Sequence, residues 1–212
     1  MKKIILFFAI IMTFGNFSKA QDIEIDNRDE FQIGARVGLS RSNVYDSQGE
    51  EFKADPKLGF TGGLFFKIPL GKYLGIHPEV NFTQKGFTAS GRILGSVYTL
   101  ERTTNFFEIP LLVELKPSAF ISLLAGPQFS YLLKQRDKFT SLLVNYEQEQ
   151  EFSQDQINKN ILGFVAGLDI NLKHLVLSGR VGWDIQNNRG DGTSSTPRYK
   201  NISTTVTIGY KI

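Results

Sequence analysis

The chain has 212 residues, enough for one sizeable domain, and it contains no cysteine, which excludes disulfides, cysteine metal sites, a cysteine nucleophile and a lipid anchor on an N-terminal cysteine. Its 24 lysines and arginines against 21 acids become 21 against 21 once Lys2, Lys3 and Lys19 are set aside, so the charge is no argument for nucleic acid as a partner. Eighteen phenylalanines and twenty glycines, without helical heptads, lean towards an all-β fold.

Residues 1–20 have the layout of a signal peptide. Lys2 and Lys3 supply a positive start, and Ile4 to Phe14 an apolar core too short for a bilayer span of about 20 residues. Ser18 and Ala20 fit the cleavage pattern, with Gln21 as the mature N-terminus. Residues 21–30, QDIEIDNRDE, form a short acidic periplasmic tether, and residues 31–212 the main domain.

From Phe31 onwards, apolar residues recur with a period of two, which marks strands with one apolar face. Eight strands are predicted. The first is FQIGARVGLS; the second runs Leu58 to Ile68 and the third Leu74 to Thr88. The fourth and fifth form a hairpin over Asn105 to Leu133. Phe107, Ile109, Leu111, Val113 and Leu115 share one face of the fourth strand, and Ile121, Leu123, Ala125, Phe129, Tyr131 and Leu133 share one face of the fifth. The last three strands run Ile161 to Leu172, Leu175 to Gln186 and Tyr199 to Ile212.

The connections alternate in length. Pro69 to Tyr73, Lys116 to Ser118 and Lys173-His174 are tight. Ser42 to Lys57, Ala89 to Val97, Lys134 to Asn160 and Asn187 to Arg198 are long. This rhythm matches an eight-stranded antiparallel transmembrane β-barrel with short periplasmic turns and long extracellular loops. Aromatic residues sit where interfacial girdles belong: Tyr73, Phe120 and Tyr210 at one end, Phe60, Phe107, Phe129, Tyr131 and Trp183 towards the other.

The polar face carries Arg36, Lys67, Lys85, Arg180 and Lys211 against Glu79, Glu108, Glu114, Asp169 and Asp184. Equal numbers point to mutual pairing in an enclosed lumen, since an unpaired buried charge is costly. A soluble barrel with its apolar face inward explains the alternation equally well. It leaves the signal peptide and the short-turn, long-loop rhythm as coincidences. Eight strands enclose just enough room for side chains, which argues against a general diffusion pore.

The run FFEIPLLVELKP followed by LLAGPQFSYLL resembles the outer-membrane β-barrel family that includes PorT-like proteins of Bacteroidetes-type bacteria. HPEVNFTQKGF upstream and GFVAGLDINL downstream share the likeness, which spans about Phe31 to Ile212. The resemblance implies a small barrel in the cell outer membrane. Its name-giving member is associated with export of surface proteins.

No catalytic constellation, metal-ligand spacing or cofactor motif is legible. His77, beside Glu79 on the polar face, reads as a structural lumen histidine, and the Glu108 and Glu114 pair as lumen ion pairs rather than catalytic acids. Arg189-Gly190-Asp191 in the last long loop can engage integrin-type receptors, but glycine and aspartate are also what a loop tip needs. The expected function is that of a closed interaction barrel, not an enzyme. An accessory of secretion or a narrow channel is the alternative. Its expected partners are outer-membrane lipid, the outer-membrane barrel assembly machinery and a surface or secretion protein.

Overall fold

The computed structural model describes residues 26–48, 53–93, 96–141, 145–151, 160–187 and 198–212. The signal peptide and the Arg189-Gly190-Asp191 tripeptide lie outside them. Nine strands follow in order: β1 (Gln32–Gln48), β2 (Lys53–Pro69), β3 (Leu74–Ile93), β4 (Ser96–Leu115), β5 (Ile121–Ser141), β6 (Asn145–Glu151), β7 (Asn160–Leu172), β8 (Leu175–Asp184) and β9 (Arg198–Lys211).

Every pairing is antiparallel, and eight of the strands close on themselves. Sequential neighbours pair from β1 to β5, β5 pairs β7, β7 pairs β8, β8 pairs β9, and β9 returns to β1. Closure satisfies the backbone donors and acceptors that an open sheet would leave at its edges. Among the described residues β6 pairs only with β5, on the edge that β7 uses lower down, so the β5–β6 flap rises above the closed part of the ring.

The faces follow the alternation, and the apolar one points out. Val37, Leu39, Leu64, Leu111, Val113, Leu123, Leu168, Leu177 and Ile208 are exposed, while Arg36, Glu79, Lys85, Glu108, Glu114, Asp169 and Arg180 are buried inside. A water-soluble barrel would reverse this arrangement. Phe120 and Tyr210 project outward at the short-turn end, as does Tyr73 in the β2–β3 turn.

The long-loop end differs from the expectation. Ala89 to Ile93 and Ser96-Val97 are strand rather than loop, with Ile93 opposite Ser96. The ladder between β1 and β9 continues past Ser40 as far as Gln48. Lys134 to Thr140 are the end of β5, paired to β6. These extensions rise beyond the apolar belt, where neither face needs to be apolar, so the period-two signal fades although the ladder bonds persist. Leu133 also leaves its predicted face. Asn105 opposes Lys134 while Phe106 opposes Leu132, so Leu133 is the extra residue of a bulge.

At the short-turn end, Lys173 occupies the two-residue connection between β7 and β8 with a left-handed φ of 47°. The acidic segment does not simply trail away. Arg28 donates to the Lys116 carbonyl oxygen at 3.1 Å, Lys116 donates back to the Arg28 carbonyl, and Arg28 also lies over the Tyr73 ring. Residues 26–31 therefore pack against the mouth of the barrel beside the β4–β5 turn.

Candidate functional site

The interior is filled in layers. Nearest the short turns, the Lys67 ammonium on β2 lies 3.1 Å from Glu114 on β4 and 3.7 Å from Asp169 on β7, and it donates to Asn171 at 2.7 Å. Next comes Glu79 on β3. Arg36 on β1 approaches it at 2.6 Å and Arg180 on β8 at 3.2 Å. Arg180 also holds Asp169 at 2.7 Å, so one continuous network crosses the lumen between strands that are not neighbours in the sheet. Higher still, Lys85 pairs with Glu108 at 2.7 Å, and Gln128 donates to the same carboxylate.

The five cations and five anions of the polar face are not all matched to one another. Among the described residues, Asp184 accepts from the Asn201 backbone and side chain, and Lys211 donates to Gln32 at 3.0 Å. These two charges sit at opposite ends of the barrel, Asp184 opposite Gly163 near the top of β7 and Lys211 opposite Gly34 near the start of β1. Distance along the barrel axis prevents them from pairing with each other.

The sequence analysis named no aromatic side chain on the polar face, yet several lie inside the barrel. Phe65 and Phe106 turn inward while Phe66 and Phe107 turn outward or sideways. Phe65 stacks on His77 at 5.4 Å between ring centres, and the Arg36 guanidinium lies over the same ring, 4.9 Å from its centre. Gly34 makes room for that ring; a Cβ there would lie 2.3 Å from the Phe65 Cζ. Leu112, Leu124 and Val165 form a small apolar patch on the lumen wall.

Above the ion pairs, the interior turns apolar. Phe87, Ala89 and Tyr199 cluster with Val44, Ala54 and Leu100 in the extended part of the barrel. Arg102 lies 5.8 Å from the centres of both the Phe87 and Tyr199 rings and forms a two-pronged pair with Asp137 at 2.7 Å. Bidentate geometry of this kind fixes the guanidinium plane over the cluster.

His77 is fully buried, with its Nε2 3.3 Å from Glu79 and its Nδ1 3.8 Å from Glu114. Ligand atoms of His77, Glu114 and Asp169 lie within 4.8 Å of one another, close enough to suggest a metal site. The Lys67 ammonium already stands against both carboxylates, so the fixed cation of this cluster is an amine. His174, in its turn, stacks on Tyr210 and meets the Lys211 carbonyl at 3.2 Å.

At the mouth, hydrogen bonds from Arg28 and then Lys72 hold the Asp26 carboxyl below the usual carboxylate range. Burial pushes the Lys116 ammonium down from its ordinary value.

A family model described as an outer membrane protein beta-barrel domain matches residues 19–188. No curated protein matches the sequence. Among solved structures, the chain is similar to Ail, the attachment invasion locus protein of Yersinia pestis, crystallised with the heparin analogue sucrose octasulfate. Identity is 15%, coverage 86% of this chain and 99% of that one, and the TM-score 0.50. It is also similar to the outer membrane protein OprG of Pseudomonas aeruginosa, at 14% identity, 89% and 99% coverage and a TM-score of 0.49.

Proposed function

This chain belongs to the outer membrane protein beta-barrel domain family, and from that premise we propose that it is a closed barrel that works by binding a partner at its extracellular end, without catalysis. The observation that carries the reading is the filled lumen. A cross-barrel ion-pair network and the apolar layer of Phe87, Ala89 and Tyr199 succeed one another along the axis. Partner binding then falls to the strand extensions and loops above the membrane, since lipid covers the outer face. The mature protein begins at Gln21 in this reading, and N-terminal sequencing of the outer-membrane form checks it. Lipid and the barrel assembly machinery serve insertion only.

The purified protein in planar bilayers is expected to give no stable conductance. Large, long-lived openings would overturn the closed-barrel reading in favour of a narrow channel.

The β5–β6 flap is the element we assign to the partner. It rises above the closed part of the ring, so removing Ser141 to Gln154 takes only the terminal Tyr98–Ser141 pair from the ring ladders. The expected result is a barrel of normal abundance that no longer crosslinks to its partner in the native membrane. Unchanged crosslinking in the deletion strain would refute the assignment. The PorT-like likeness over FFEIPLLVELKP and LLAGPQFSYLL favours a partner on the secretion route of Bacteroidetes-type bacteria. Arg189-Gly190-Asp191, in the neighbouring loop, is a lesser candidate contact.

A further inference from the structure

The mouth at the short-turn end contains two buried lysines, Lys116 and Lys211, that make no direct ion pair among the described residues. Lys116 and Lys211 are 6% and 5% exposed. Both line one cleft with Arg28, Lys67, Glu30 and Glu114. Arg28 is neutralised by Asp26 at 2.7 Å, and Lys67 by Glu114 at 3.1 Å. Lys116 donates to the backbone carbonyl of Arg28, and Lys211 to the amide oxygen of Gln32 at 3.0 Å. Each ammonium has three donors, so both keep hydrogen-bonding capacity beyond these neutral acceptors.

The imbalance selects the sign of a ligand. Of the four cations that line the cleft, Arg28 is paired with Asp26 and Lys67 with Glu114 and Asp169, so Lys116 and Lys211 are the two left without an ion pair among the described residues. A buried ammonium without a counter-charge is costly, and an anion placed between two of them relieves both. A metal ion would add to the excess.

We propose that this cleft binds a phosphate-class oxyanion between Lys116 and Lys211, supplied either as free phosphate or as the headgroup of a lipid in the periplasmic leaflet. The segment carrying Asn27 and Arg28 forms one wall, so binding also fastens the N-terminal segment across the mouth. The site is independent of the extracellular surface assigned above.

The test is a titration of inorganic phosphate into the folded mature protein, read by calorimetry and by phosphorus NMR line width. Saturable binding is expected, and about tenfold or greater weakening in the Lys116→Gln, Lys211→Gln double variant. Lys173→Gln, an exposed turn residue at the same end, should bind as the parent does. Lys116→Gln alone leaves all strands untouched and covers the case in which the double variant fails to fold. Repeating the titration in nanodiscs identifies the source. Equal binding in neutral and anionic lipid indicates free phosphate, and binding suppressed only by phosphatidylglycerol indicates a headgroup. Absence of binding at millimolar phosphate, or equal affinity in parent and lysine variants, would overturn the proposal.

Discussion

Glu79→Leu is expected to destabilise the folded barrel by about 3–5 kcal/mol, because it strands buried guanidinium charge. Glu79 is 2% exposed and receives Arg36 at 2.6 Å, Arg180 at 3.2 Å and the Asn81 amide at 3.0 Å. Arg180 keeps Asp169 after the substitution, whereas Arg36 loses its one carboxylate among the described residues and keeps its position over the Phe65 ring. The loss should therefore shrink when Arg36→Met is added, since removing both partners also removes the unpaired charge. Urea titration in lipid vesicles, followed by the single tryptophan at position 183, measures each value. The Lys57 and Glu101 pair, at 2.8 Å but with the glutamate side chain 44% exposed, provides the contrast. Glu101→Gln should cost no more than about 1 kcal/mol, because solvent screens that pair. Equal effects at Glu79 and Glu101 would mean that the lumen network contributes nothing beyond surface pairing.

Leu111→Arg should hinder insertion by about 2–4 kcal/mol, the cost of a cation near the bilayer midplane. Leu111 is 53% exposed on the outer face of β4, opposite Pro78, and stands four residues from the end of the strand. Leu70→Arg, in the β2–β3 turn, carries the same chemistry to the interface and should cost about 0–1 kcal/mol. The same urea titration compares them. A silent Leu111→Arg would mean that this face does not meet hydrocarbon. Together the two substitutions probe opposite faces of the wall: one removes a charge that the interior needs, and the other adds a charge that the exterior cannot solvate.

The period-two alternation was enough to divide the strands into an outer and an inner face, because each side chain's face depends only on its parity along its own strand. Leu111 and Glu108 are separated that way by sequence alone. The tight turns were legible for the same local reason. The strand extensions were not, because above the membrane both faces tolerate polar residues and the alternation that marked β4 fades before Ser96. Parity also separated Phe65 from Phe66, but it could not say that the inward ring would lie against His77 and Arg36.

Partnership inside the lumen belongs to the tertiary structure. Composition supplied five cations and five anions, but Arg36, Glu79 and Arg180 meet only because β1, β3 and β8 project to one level of the axis. That level is set by the stagger between neighbouring strands, which closure of the ring determines. The same stagger keeps Asp184 from Lys211, and it leaves Lys116 and Lys211 sharing a mouth with no direct ion pair for either among the described residues. Parity tells a side chain which way to point; only the closed ring decides what it finds there.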